Sequence, residues 1–353
     1  MANNNVKKVP FGLMPDGTRV DKYILSAGDY TVALTALGAA IVDVSLPDKN
    51  GVRRHVVAGF ATPEESLRAG GCYGAIIGRV TNRVKDASFV LDGKTYHLEQ
   101  NEGKNCLHSG ESNYAVRLWS AKVINGEQPG VCFSLVSPDG DGGFPGNLLV
   151  SATYTLSGSG DLSLRMTAET DKTTVVNLTN HAYFNLGGVG SGTVLDHELT
   201  LRADSVTETD EKLIPTGNCL SVNGTPYDFR ISKTIGEGLD HADAQLKLLG
   251  GFDHNFVLTP GDGVHEAAVV RSPKTGIAMR LSTNQPCVQF YTVYSKRNGI
   301  TYAGGVVPDL LDTFCLEAQA MPDAVHHPEI CDITLHPGDL YDKTIVFSFS
   351  EGC

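Results

Sequence analysis

The chain has 353 residues, a formal net charge of −12, 41% hydrophobic residues, 39 glycines and 16 prolines. Such acidity repels phosphate backbones and anionic lipid, which argues against nucleic-acid and membrane partners. No apolar run approaches membrane-spanning length, and residues 1–10 are polar with no secretory core, so a cytoplasmic protein is expected.

The 8 cysteines are scattered without a CxxC pair, which predicts reduced thiols rather than a disulfide scaffold or a metal site. Asn177-Leu178-Thr179 and Asn223-Gly224-Thr225 match the glycosylation pattern, but without a signal peptide they read as silent.

In chain order, Thr62-Pro63-Glu64-Glu65 supplies an N-cap, a first-turn proline and early acids, predicting one short helix. Residues 88–98 carry Asp92-Gly93 between two alternating arms, a hairpin signal. Asp139-Gly140-Asp141-Gly142-Gly143 resembles a calcium loop, but Val150 stands where a bidentate glutamate is required, so a turn is expected. A second hairpin spans residues 148–156 and 162–168 around a Ser/Gly loop. Gly187 to Gly192 lacks the last glycine of a nucleotide loop, Thr193 standing there instead, and reads as a flexible loop. A further helix is predicted over 240–249, and residues 344–350 alternate again as a strand. Short strands with turns throughout, few crossover helices and no composition break predict an all-β fold. It is a large antiparallel β-sandwich with few short helices, in a single domain over 1–353.

Successive side chains of a strand point to opposite faces. Splitting the polar-rich strands by parity puts Val175, Asn177, Thr179, His181, Tyr183 and Asn185 together. It does the same for Cys315, Glu317 and Gln319, for Gln289 and Tyr291, and for Asp253 and Asn255. A solvated face is usually rich in Lys and Glu, whereas these carry His, Asn, Tyr, Gln and one Glu, side chains suited to a cleft that holds a polyhydroxylated ligand. Asn82, Arg83 and His108 complete a donor-and-acceptor set. His254 falls on the apolar side and reads as a core histidine; His326-His327 reads as a surface pair. Trp119, the only tryptophan, fits either core or sugar stacking.

At these residues the chain resembles the aldose 1-epimerase (galactose mutarotase) family, from about Phe11 to Ser350. The resemblance rests on eight segments in the family's order. They include Gly78-Arg79-Val80-Thr81-Asn82-Arg83, Asn105-Cys106-Leu107-His108-Ser109-Gly110, Asn180-His181-Ala182-Tyr183-Phe184-Asn185-Leu186, Phe252-Asp253-His254-Asn255-Phe256 and Leu316-Glu317-Ala318-Gln319. It implies a β-supersandwich with an open sugar groove, a free-sugar substrate, no cofactor and no metal, in a monomer or weak homodimer. By position, Glu317 matches the family's general base, His181 its general acid and His108 its second histidine. Asn82, Arg83, Asp253 and Gln289 match sugar-binding positions, and Tyr183 lies in the same lining. The chain departs from the family at Ala182 (usually Thr), Ser109 (usually Gly), Val293-Tyr294 (commonly Gly-Asn) and the loop over 295–311, which bears on substrate preference more than on the reaction.

The implied reaction exchanges the α and β anomers of hexoses such as galactose and glucose. A base takes the C1 hydroxyl proton while an acid protonates the ring oxygen. Glutamate and histidine, with ordinary pKa values of about 4.3 and 6.5, bracket mild acid. Three alternatives share a sugar groove. A glycoside hydrolase needs two carboxylates flanking one bond, for which Glu317 and Asp253 are the candidates. A non-catalytic sugar-binding protein would lack the acid or the base. A hexose-6-phosphate epimerase would favour more basic residues than the motif pair Arg79 and Arg83.

Overall fold

The computed structural model describes residues 5–70, 72–111, 113–240, 242–296 and 298–351; residues 1–4 of the polar N-terminus and Cys353 lie outside these. Alternating sequence becomes antiparallel pairing nearly everywhere. Ser88–Leu91 pairs with Lys94–His97, and Asp92 and Gly93 both take positive φ, as a two-residue hairpin turn of the right twist requires. Leu148–Leu156 pairs with Asp161–Thr170 in the second expected hairpin. Residues 5–10, part of the terminus that read as polar, belong to the outer strand Asn5–Leu13, in which just Phe11 is buried.

The largest sheet has nine strands. Its centre is the C-terminal strand Tyr341–Glu351, which lies between Asp161–Thr170 and Ile277–Thr283 and alternates buried with half-buried residues from Ile345 to Phe349. A five-stranded N-terminal sheet spans Asn5 to His55. A second five-stranded sheet runs Pro215–Ser221, Ala203–Thr209, Asp253–Leu258, Cys287–Thr292, Phe314–Gln319. One hydrophobic cluster draws on all three sheets, from Tyr23 and Leu34 through Phe133 and Tyr154 to Phe290 and Phe347. Each fully buried ring of that kind contributes roughly 1.5–3 kcal/mol. Trp119 belongs to this core, its indole N–H donating to the Tyr114 carbonyl at 3.1 Å, so the core reading is the correct one.

Helices are few. Pro63–Arg68 is capped by Thr62, whose hydroxyl accepts from the Glu65 N–H at 3.2 Å. The helix expected over 240–249 is confined to Ala244–Leu249, because Asp243 caps it by accepting from the Gln245 and Leu246 N–H groups. Ahead of it stands the short helix Ile235–Gly238, closed by a Thr234/Glu237 capping box. Among the described residues no helix is long and apolar enough to cross a membrane.

Candidate active site

The second five-stranded sheet sorts its residues by parity as the sequence predicts. His254, Phe256, Val288, Phe290, Leu316 and Ala318 are buried. On the opposite face the register sets Asn255 beside Gln289 and Gln289 beside Glu317, with Asp253, Tyr291 and Cys315 one row along. His254 is a core histidine: it accepts from the Asp253 N–H, meets Gln245, and burial lowers it to about 4.

Phe314–Gln319 is the last strand of its sheet, and its free edge would leave backbone groups unpaired. The segment 175–186 closes that edge. It is not one strand but two short ones, Thr174–Val175 and Thr179–Asn180, followed by isolated bridges. The Asn177 amide both donates to and accepts from Ala320, Thr179 donates to the Ala318 carbonyl at 2.8 Å, Phe184 pairs with Phe314, and Asn185 donates to the Asp312 carbonyl. The polar face expected to line a cleft is thus divided. Asn177, Thr179 and Asn185 hold the neighbouring backbone, and only His181 and Tyr183 reach the cavity.

That cavity has a volume of about 290 Å³. Glu317, His181, His108, Asn82, Arg83, Tyr183 and Asp253 all line it. Gln289 stands just behind the wall, its amide donating to Asp253 Oδ1 at 2.6 Å. Arg79, the other half of the motif pair, lies elsewhere. It is fully buried and donates to the carbonyls of Pro145, Gly146 and Ser137 and to the hydroxyls of Thr174 and Ser137.

His181 Nε2 lies 3.6 Å from Glu317 Oε1, and both side chains are buried. The His181 ring stacks on Tyr183 at 4.9 Å between centroids, and Tyr183 stacks on Tyr73 at 4.1 Å, so the imidazole ends a column of rings. Burial raises the Glu317 carboxyl well above its usual range; Asp253 adds to the rise and Arg83 opposes it. The bracket drawn from ordinary pKa values therefore does not hold: here the carboxylate is a stronger base than in water, because its charge is desolvated.

Asn82 and His108 clasp each other: the His108 N–H donates to the Asn82 carbonyl at 2.9 Å, and the Asn82 N–H donates to His108 Nδ1 at 3.1 Å. Both adopt positive φ, a conformation non-glycine residues keep only where their surroundings fix it. Ser109 does too, where the family favours glycine, and its hydroxyl offsets the strain by bonding both the N–H and the carbonyl of Val80. Because Nδ1 accepts, the single proton of neutral His108 sits on Nε2. Burial holds the ring far below its ordinary pKa, and the charges of His181 and Arg83 add to the effect. Ligand atoms of His108, His181 and Glu317 lie within 4.8 Å of one another, close enough for a cation. In His108, however, one nitrogen is occupied and the other protonated, which suits a hydrogen-bond donor and not a metal ligand.

Among the wall residues that parity did not reveal are Glu102 and Tyr294. Glu102 grips Arg83 in a two-point pair at 2.8 and 2.9 Å. Tyr294 donates to Asp253 Oδ2 at 3.0 Å. The Val293-Tyr294 departure from the family pattern was the available signal for the second; nothing near Glu102 distinguished it from a surface acid.

Fold and site together define a carbohydrate isomerase on a mutarotase-like β-supersandwich. Residues 21–348 match the aldose 1-epimerase family model. The chain is 40% identical to galactose mutarotase of Homo sapiens over 347 residues, 98% of this chain and 99% of that protein. It is 36% identical to aldose 1-epimerase of Escherichia coli K12 over 343 residues, 96% and 97% of the two chains. The crystal structure of galactose 1-epimerase from Lactobacillus acidophilus superposes with a TM-score of 0.86 at 27% identity, covering 99% of each chain. An aldose epimerase homologue from C. elegans superposes at 0.84 with 31% identity, over 92% of this chain and 96% of that one. The chain belongs to the aldose 1-epimerase family. It is an isomerase, a mutarotase that exchanges the anomers of an aldose.

Proposed function

We propose that anomer exchange takes place in this cavity on free hexoses, galactose and glucose, with Glu317 as base and His181 as acid. The observation that carries the assignment is the 3.6 Å approach of His181 Nε2 to Glu317 Oε1 on a buried wall. The C1 hydroxyl and the ring oxygen share one carbon, so the groups that serve them must stand close together. Glu317 removes the C1 hydroxyl proton, His181 delivers a proton to the ring oxygen, and the C1–O5 bond opens. The aldehyde turns about C1–C2, and the two groups close the ring with their roles exchanged. Proton transfer by a placed group contributes about 10²–10⁴-fold in rate. His108, donating from Nε2, steadies charge developing on oxygen. Arg83, Asn82 and Asp253 orient the remaining hydroxyls, Tyr183 supports the acid, and Gln289 acts through Asp253.

A phosphorylated hexose fits this wall poorly. Among the described residues Arg83 is the only Lys or Arg in the lining, Glu102 already holds it at two points, and Asp253 and Glu317 share the cavity. The relatives named galactose mutarotase support the free sugar. Polarimetry of freshly dissolved α-D-galactose and α-D-glucose tests the reading: relaxation should accelerate to an unchanged final rotation. Acceleration confined to a hexose 6-phosphate would overturn it.

The single domain over 1–353 is supported by the hydrophobic cluster that runs from Tyr23 to Phe349. The cytoplasmic reading is supported by the free thiols of Cys106, Cys132, Cys219, Cys287 and Cys331. Light scattering tests the monomer or weak homodimer.

A further inference from the structure

We propose that Tyr294 is a specificity-determining residue: with Asp253 it forms an acceptor-only corner that selects sugars carrying a hydroxyl where the ring meets it. The inference rests on the sugar-binding role given to this cavity above.

Tyr294 follows the strand Cys287–Thr292 and lines the cavity, half-buried. Its position is fixed from several sides. The Val293 N–H donates to the Thr313 carbonyl at 3.2 Å, and the Val293 carbonyl accepts from the Leu311 N–H at 2.6 Å. The ring stands edge-on to Tyr291 at 5.5 Å. On its other side is Gly251, where an added Cβ would come within 2.8 Å of the Tyr294 Cβ. Gly251 leaves room for the residue; a larger side chain there would displace it.

The hydroxyl is not free to choose its role. It donates its proton to Asp253 Oδ2 at 3.0 Å, while Gln289 donates to Oδ1 at 2.6 Å. Burial and the adjacent Asp253 charge push the phenol pKa up, which keeps it neutral and donating. With its proton committed, the phenol oxygen offers only lone pairs to the cavity, and the carboxylate beside it offers the same. Arg83 Nη1 lies 3.8 Å from Asp253 Oδ2 and marks the boundary of this corner with the donor side of the wall. A sugar hydroxyl can donate into such a corner. A hydrogen, an O-methyl or a fluorine cannot, and leaves the phenol oxygen and the remaining lone pairs of the carboxylate without a donor from the sugar, a loss that discriminates between similar substrates.

The test is Tyr294→Phe, which keeps the ring contacts with Tyr291 and Gly251 and removes only the hydroxyl. KM and kcat are measured by polarimetry for wild type and variant on galactose, glucose and the 2-, 3-, 4- and 6-deoxygalactoses. The expected result is a rise in KM on galactose of about tenfold, with kcat changed less than threefold. On one deoxy sugar the gap between wild type and variant should close, identifying the hydroxyl that the corner reads. Equal KM values on all sugars would overturn the proposal, and so would one common factor of loss on every deoxy sugar. If wild type fails to accelerate galactose anomerisation, the functional reading fails separately. Galactose titrated into wild type and variant then decides the corner by Kd, with equal Kd values overturning it.

Discussion

Replacing Glu317 by glutamine keeps the shape of the side chain and removes its proton chemistry. Two consequences follow from the position of this group, and they have opposite signs. For turnover, losing the base removes about 10²–10⁴-fold, which is two to four tenfold steps at about 1.36 kcal/mol each, or roughly 3–5 kcal/mol of barrier. For stability the change is favourable. Glu317 is buried, one of its carboxylate oxygens has no protein partner, and burial raises its carboxyl above the ordinary range. A carboxyl raised on folding contributes stability that is complete below the unfolded value of about 4.3 and is lost as pH climbs through the folded value. At neutral pH the wild type therefore holds a desolvated charge that the amide does not. A gain on the order of 1 kcal/mol, or roughly 2 °C in Tm for a chain of this size, is expected. Polarimetry on galactose gives the first quantity, and melting curves from pH 5 to 8 give the second. The Tm difference should widen towards higher pH. Turnover within tenfold of wild type would refute the assignment of the base, and a Tm difference that shrinks as pH rises would refute the electrostatic argument.

Tyr183→Leu removes the ring on which His181 stacks and should lower kcat about tenfold with a smaller change in KM; equal losses in binding affinity and rate would show a direct sugar contact instead. Thr179→Val deletes the hydrogen bond to the Ala318 carbonyl with little change in volume, and should cost about 1–2 kcal/mol by denaturant titration. Arg79→Met leaves three buried carbonyls without their donor. Roughly 3 kcal/mol of stability should go, with the variant's remaining folded fraction keeping its KM; a shifted KM would place Arg79 nearer the sugar than the cavity does.

Much of this site was legible because strand parity is strict. Once Asp253–Leu258, Cys287–Thr292 and Phe314–Gln319 are strands, their polar residues must share a face, and the observed register needs no long-range detail to produce it. Parity failed over 175–186 for a local reason. The segment pairs regularly only at Thr174–Val175 and Thr179–Asn180, so its side chains do not alternate between two environments along its length, and Asn177 and Thr179 serve the backbone of the next strand. Glu102 and Arg83 are 19 residues apart and meet through the pairing of Cys106–Leu107 with Arg83–Val84. No periodicity in either segment encodes that meeting. Arg79 and Arg83 look alike in sequence, yet one is wholly structural, because four residues along an irregular loop are enough to turn the side chain away.

The same hydrogen bonds that terminate the sheet also set the distance between acid and base. Glu317 sits on a strand at the sheet's edge, and the segment that closes this edge carries His181. Asn177 and Thr179 on one side of His181, and Phe184 and Asn185 on the other, bond directly to the backbone from Asp312 to Ala320. The two catalytic candidates are thus held by short contacts on both flanks, so little of their 3.6 Å separation depends on distant packing. Departures from the family pattern then fall where they do not disturb this lacing. Ala182 belongs to the hydrophobic core, Ser109 replaces lost backbone freedom with two hydrogen bonds, and Tyr294 lines the cavity and bonds Asp253. On the roles proposed above, the reaction rests on this pinned edge, and the choice of sugar on the corner that Tyr294 makes with Asp253.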